Sequence, residues 1–218
     1  MAKLNSLDRS TSQDKVLDAL HALLLDNTFL PGARLRQSVI ASEMGVSQGV
    51  VREALGRLVE EGLVKHIPFR GMFVAKLTQE DVKEIYQIRI ALECLAAELA
   101  LPRLDDKRVL DELSRLDAQI HSAAQNADSQ AAASADIAFH QYQIELSGNS
   151  RLVKAWNSLM AQSSYLPKQL HSRQPDPYEA SHLETIEAFH TRTIDIIRKT
   201  IRGRLESSLA NIIGNWDS

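Results

Sequence analysis

The chain has 218 residues, 44% hydrophobic and 24% charged, with 9 Gly, 6 Pro and one cysteine, Cys94. This composition excludes collagenous, low-complexity and disulfide-scaffold proteins, and abundant Ala, Leu, Glu, Arg and Gln favours a mainly α fold. The net charge of −3 argues against a nucleic-acid partner when taken whole, but residues 1–76 carry ten Lys/Arg against eight Asp/Glu, whereas 77–218 carry fifteen against twenty.

Residues 1–10 read as a flexible polar start. Thr11-Ser12-Gln13-Asp14 then resembles a capping signal for a helix with Val16, Leu20, Leu23 and Leu24 on one face, ended by Leu30-Pro31-Gly32. A short helix over Gln37–Met44 presents Val39, Ile40 and Met44 and stops at Gly45. Ser47 caps a third helix to about Glu61, with Val51, Ala54, Leu55 and Leu58 inward and Gln48, Arg52 and Arg57 on the other side. Leu63–Ile67 and Met72–Ala75, separated by Pro68-Phe69-Arg70-Gly71, form a hairpin. Helix, short helix, Gly turn, helix and hairpin within 11–76 is the order of a winged helix-turn-helix, whose third helix enters the DNA major groove. A small helical domain with solvated basic residues is the alternative.

From 77 to 218 the pattern is an all-helical bundle of six helices. Thr78 caps the first, which runs to about Leu101 with Val82, Ile85, Ile88 or Arg89, Leu92 and Leu99 as its inner side. The second starts near Asp105 and carries the stripe Val109, Leu113, Leu116, Ile120. A third spans 129–147, stopped by Gly148-Asn149, and a fourth covers 151–166. After a proline-containing loop at 167–177, two more occupy 178–213 with a break near 191–193. Asp136 and His140 lie four apart on one helix and His182 on another, a spacing that can converge on a metal but more often marks an ion pair. His121 and His190 read as ordinary surface or core histidines, and Cys94 as a small buried hydrophobe.

Leu30-Pro31-Gly32-Ala33-Arg34-Leu35, Ile40-Ala41-Ser42-Glu43-Met44-Gly45-Val46-Ser47, Val51-Arg52-Glu53-Ala54-Leu55, Glu61-Gly62-Leu63-Val64 and Arg70-Gly71-Met72-Phe73-Val74 closely resemble the GntR family of bacterial transcription regulators. The resemblance implies that Gln48, Gly49 and Arg52, at the start of the third helix, read bases. Where most members carry Ser-Arg-Thr-Pro-Val-Arg-Glu, this chain has Ser47-Gln48-Gly49-Val50-Val51-Arg52-Glu53. Arg forks to guanine and Gln pairs with adenine, so an altered operator is expected. Arg34, Arg36, Lys65 and Arg70 suit phosphate or minor-groove contacts, and Ser47 and Gly71 complete the DNA-binding set.

Asp136-Ile137-Ala138-Phe139-His140, Ser147-Gly148-Asn149 and His182-Leu183-Glu184-Thr185-Ile186 resemble the FCD effector-binding domain of FadR-type GntR regulators, in its VanR-like branch. The resemblance implies metal ligands at Asp136, His140 and His182 for a divalent ion of the Zn, Ni or Mn type, and places the expected fourth ligand on Arg204. Because a guanidinium only donates, two outcomes follow: a three-ligand site with open positions filled by water or an effector, or no metal with Arg204 pairing Asp136 or an anionic ligand. Arg89 matches an arginine that often faces the FCD cavity, with Glu93 one turn on. Arg89, Glu93 and Arg204 are the expected effector-binding residues, and two guanidiniums favour an organic acid.

The expected protein is thus a cytoplasmic homodimeric regulator, with no membrane partner, that leaves double-stranded operator DNA when a small carboxylate binds. A metal-dependent helical hydrolase on Asp136, His140 and His182, and an effector-independent DNA-bridging protein, are the alternatives. The hydrolase lacks a His-Glu-x-x-His motif and leaves the winged domain without a purpose.

Overall fold

A computed structural model describes residues 12–26, 28–163, 182–214 and 216. The readings for residues 1–11, the 164–166 helix end, the 167–177 loop and 178–181 lie outside them. The chain forms two compact units, the first reaching Leu77 and the second beginning at Thr78.

The first unit contains α1 (Ser12–Leu25), β1 (Arg34–Leu35), α2 (Gln37–Met44), α3 (Gln48–Glu60), β2 (Val64–Ile67) and β3 (Gly71–Val74). Its core joins Val16, Leu20 and Leu24 of α1 to Val51, Leu55 and Leu58 of α3, with Leu35, Ile40 and Val74 closing it. Leu17 is 5% exposed and belongs to this core, while the expected Leu23 is only half-buried. On α2, Ile40 and Ala41 are buried, and Val39 turns outward at 44% exposure, so the expected inward placement of Val39 is corrected. Gly45 ends α2 at φ +66 and donates to Ala41 O. That left-handed turn is open to glycine without the Cβ penalty, and it aims α3 away from α2.

The strands make one antiparallel sheet in the order β1-β3-β2, with Arg34 opposite Phe73 and Lys65 on the other edge opposite the same residue. Thus the expected hairpin is a three-stranded wing. Two residues are too few to show strand alternation in sequence, and β1 exists because β3 offers it a free edge.

The second unit contains α4 (Gln79–Ala100), a 3₁₀ turn at Leu101–Arg103, α5 (Lys107–Gln125), α6 (Ser129–Glu145), α7 (Ser150–Ser163, with residues to Leu159 in this unit), α8 (Leu183–Thr191) and α9 (Ile194–Gly214). α4 packs on α6 and α9, α5 on α6 and α8, and α8 on α9. A capping box opens α4: Thr78 Oγ1 accepts from Asp81 N–H at 3.1 Å and Asp81 Oδ2 accepts from Thr78 N–H at 2.7 Å. At the end of α6, Arg103 Nη1 donates to Leu146 O at 2.9 Å, satisfying a terminal carbonyl. Arg192 takes the left-handed position at φ +53 that separates α8 from α9, and pairs with Asp105.

α4 departs most from the reading of its apolar face. Its buried residues are Val82, Ile85, Tyr86, Arg89, Ile90, Glu93, Ala96, Ala97 and Ala100. Of the alternatives Ile88 or Arg89, Arg89 is the inward one and Ile88 is 50% exposed, while Leu99, expected inward, is 37% exposed. Cys94 is half-buried rather than buried, with Sγ 3.9 Å from Arg198 O. Among the described residues no helix is long and apolar enough to cross a membrane.

Candidate functional site

The first unit presents a polar face built by α3 and the wing. Because Val51, Ala54, Leu55 and Leu58 are fully buried, the helix period turns Gln48, Arg52 and Arg57 outward. Ser47 Oγ caps α3 by accepting from Val50 N–H at 3.4 Å, which frees the side chains of its first turn to project forward. Arg57 donates to Asp14 of α1 at 2.9 Å, but Gln48 and Arg52 have no hydrogen-bond or ion-pair partner among the described residues.

A shallow cleft of about 350 Å³ is lined by Arg34, Arg36, Gln37, Ser38, Gln48 and Gly71, so the start of α3 and the base of the wing meet in one concavity. Gly71 sits at φ +101, strained for any L side chain, and a Cβ there would lie 3.6 Å from Arg34 Nη2. Gly49 is half-buried on the first turn of α3 near Ser47. Lys65 is exposed on β2, and Arg70 in the wing turn stacks 5.9 Å over the Phe73 ring. Sequence reasoning passed over Phe69 as turn filler. It stands fully exposed at φ +62 at the wing tip.

The second unit encloses a polar cluster. On α6, Asp136 and His140 project together, and His182, the residue capping α8 rather than lying within it, meets them. His182 Nε2 lies 3.3 Å from His140 Nε2 and 3.3 Å from Asp136 Oδ1, with His140 Nε2 3.8 Å from that oxygen. Arg204 on α9 points Nη1 at both imidazoles, 3.2 Å from His140 Nε2 and 3.4 Å from His182 Nε2, while its Nη2 donates to Glu93 Oε2 at 2.9 Å. Glu93 is fully buried, and Arg89 holds its other oxygen through Nε and Nη2 at 3.3 and 3.1 Å. Arg89 is itself sandwiched over Tyr86 and Trp156, 5.1 and 5.6 Å from the ring centres.

Asp117 was not anticipated. It is buried, accepts from the His182 backbone N–H at 2.9 Å and lies 3.5 Å from His182 Nδ1. Its signal was present in the sequence, since an acid four residues after Leu113 and three before Ile120 falls on the apolar stripe of α5. His121 reaches its other oxygen at 3.6 Å, and His190 is exposed.

Burial alone would raise the Glu93 carboxyl, but His140, Arg89 and Arg204 outweigh it and hold the group far below the usual carboxylate range. Burial pushes the His140 imidazole down to about 4, so the ring is neutral near pH 7. Several buried polar atoms among the described residues have no hydrogen-bond partner: both amide atoms of Gln143, Thr185 Oγ1, Trp156 Nε1 and Arg204 Nε, whereas the Nδ1 atoms of His140 and His182, though outside good hydrogen-bond alignment, face the carboxylates of Glu93 and Asp117 at 3.3 and 3.5 Å. All belong to the second unit. A buried polar atom left unpaired costs about 1–3 kcal/mol, so each of these atoms calls for a partner.

The donor spacing by itself suits a divalent ion. Bonds of about 2.0–2.2 Å at tetrahedral or octahedral angles set neighbouring ligand atoms roughly 3–3.5 Å apart, close to the observed separations of 3.3 and 3.8 Å. The fourth vertex does not suit it. There Arg204 presents N–H groups to the same point, and a guanidinium neither loses its proton nor offers a lone pair. With Arg204 so placed, the residues do not fit a metal.

Residues 12–74 match the family described as bacterial regulatory proteins, gntR family, and residues 84–207 match the FCD domain. An uncharacterised HTH-type transcriptional regulator from Streptomyces ambofaciens is 30% identical over 217 residues, covering 97% of this chain and 88% of that one. The gluconate operon transcriptional repressor of Bacillus licheniformis is 23% identical over 217 residues, covering 96% and 88%. A solved GntR-type transcriptional regulator from Rhodococcus sp. RHA1 superposes with a TM-score of 0.75 at 25% identity, covering 94% of this chain and 99% of its own.

Proposed function

The chain belongs to the GntR family of bacterial regulators and carries an FCD domain, and from that premise we propose that it is a repressor whose hold on operator DNA is released by a small organic acid bound in the helical unit. Its family and relatives are transcription regulators, not enzymes. Residues 11–76 then serve as the DNA-binding domain and 77–218 as the effector-binding and dimerisation domain.

The observation that carries ligand control is the group of buried, unpartnered polar atoms on Gln143, Thr185 and Trp156, adjoining the same helices that hold Arg89, Glu93 and Arg204. An amide, a hydroxyl and an indole N–H suit a ligand with hydroxyl or carboxylate oxygens. The relative named for a gluconate operon supports a sugar acid as the ligand class. Because Arg89 and Arg204 already grip Glu93, the acid meets them as an ion-pair network rather than as free cations.

On DNA, Gln48 and Arg52 read base edges, with Gly49 allowing close approach, while Arg34, Arg36, Lys65 and Arg70 hold phosphates and Ser47 and Gly71 shape the two contacting elements. Among the described residues Arg34, Arg36, Arg52 and Lys65 form no ion pair, which supports this assignment. Ile88, Leu95 and Leu99, 50%, 43% and 37% exposed and spaced by seven and four on α4, support a homodimer through that face. Such a dimer sets two α3 helices into successive major grooves of a near-palindromic operator, in the cytoplasm where the DNA lies.

Fluorescence anisotropy on the chain's own promoter region, with and without a panel of sugar acids and dicarboxylates, tests the reading. A member of the panel is expected to weaken operator binding and to raise the thermal midpoint of the free protein. Operator affinity indifferent to every acid that shifts the midpoint would sink ligand control.

A further inference from the structure

We propose that Arg204 is the resident cation of the FCD cluster, standing where an ion would be held, so that this domain works without a metal. The inference rests on the cluster itself and not on which acid the domain receives.

Each imidazole turns Nδ1 toward a carboxylate, His140 to Glu93 Oε2 at 3.3 Å and His182 to Asp117 Oδ1 at 3.5 Å. That arrangement favours the proton on Nδ1 and a lone pair on Nε2, the tautomer that metal-binding histidines use. Two lone pairs 3.3 Å apart, with Asp136 Oδ1 at 3.3 Å from one of them, form an electron-rich point that needs a positive partner. Arg204 Nη1 supplies N–H groups to that point at 3.2 and 3.4 Å.

The other end of the guanidinium is anchored. Its Nη2 donates to the fully buried Glu93 at 2.9 Å, and the side chain is only 16% exposed. An ion entering the donor triangle would face protons that Arg204 cannot lose. Swinging Arg204 away would strip Glu93 of one of its two guanidinium partners inside the bundle. Arg204 thereby does the tying that a metal does, joining α9 to α4, α6 and the start of α8 through one planar group.

The test is metal content of the full chain, produced with Zn²⁺, Ni²⁺ and Mn²⁺ supplied and chelator avoided, read without DNA or effector so that it stands apart from the proposed function. Wild-type protein is expected to hold less than about a tenth of an equivalent, with a thermal midpoint indifferent to EDTA. Arg204→His supplies a fourth ligand, the third imidazole beside His140 and His182, and is expected to hold about one equivalent, with a midpoint that EDTA lowers. Two results overturn the proposal: wild type holding about one equivalent that His140→Ala loses, or a folded Arg204→His that stays empty. Should Arg204→His fail to fold, Co²⁺ titration of Arg204→Met is decisive. A visible ligand-field band in that variant but not in wild type supports the role of Arg204, and a band in wild type or in neither overturns it.

Discussion

Arg52 and Arg57 lie five residues apart on α3, and their surroundings separate their roles. Arg57 is tied to Asp14, whereas Arg52 stands exposed beyond the capped first turn with no partner among the described residues. Replacing Arg52 by Ala should therefore cost about 1–3 kcal/mol on the specific operator with little loss on random DNA, as measured by anisotropy on both. Equal losses on the two would make it a phosphate contact. In the bundle, the pH response follows from His140. Unfolded, it takes up a proton near 6.5, but in the fold it stays neutral until about 4. Between those values the unfolded chain binds more protons, so stability falls as pH falls through the window, by about 2 kcal/mol from pH 7 to pH 5. Glu93, held below its ordinary range, adds a loss in the same direction only at still lower pH. Urea unfolding at the two pH values checks this, and a His140→Gln variant should flatten the difference. Equal stability of the wild type at both would remove the neutral buried His140.

Among the elements, α3 was legible and α4 only half so. α3 has one apolar face, so the period names its core residues and, by subtraction, its outward ones. α4 is apolar on two sides, with Ile85 and Ile90 inward and Ile88, Leu95 and Leu99 outward, and the buried Arg89 and Glu93 lie on the inner one. A period cannot rank two apolar faces, and a charged pair on the core side reverses the usual preference until its partners are known. The ends of α4 were readable, because capping is local chemistry. Thr78→Ala removes the side-chain half of the capping box and should lower stability by about 1 kcal/mol, seen as a fall in the denaturation midpoint. No change would mean that packing alone fixes the start of α4.

For the whole molecule, the outward stripe on α4 predicts association. Leu95→Glu places a charge at the centre of that stripe and should convert dimer to monomer in sedimentation velocity, with operator affinity falling as the two α3 helices lose their coupling. A dimer that survives Leu95→Glu would move the interface off this face. The net charge of −3 conceals the division that makes sense of this molecule, since the first 76 residues carry the positive excess and the remainder the negative. Repulsion from phosphates falls on the helical unit, leaving the winged unit to approach DNA.

Local chemistry written along the chain determined the winged module, the helical character of the second unit, the caps and the pairing of Asp136 with His140, because each depends on residues within a turn or two of one another. Only the tertiary structure decided the fate of the charged groups. Asp117 joins His182 across 65 residues, Arg204 reaches Glu93 across 111, and β1 finds β3 across nearly 40. From the sequence, Arg204 could stand beside a three-ligand metal site or pair Asp136 or an anionic ligand, and Glu93 was not the expected partner. Which of them holds depends on whether a buried carboxylate lies within reach of its other end, and the fold places Glu93 there at 2.9 Å.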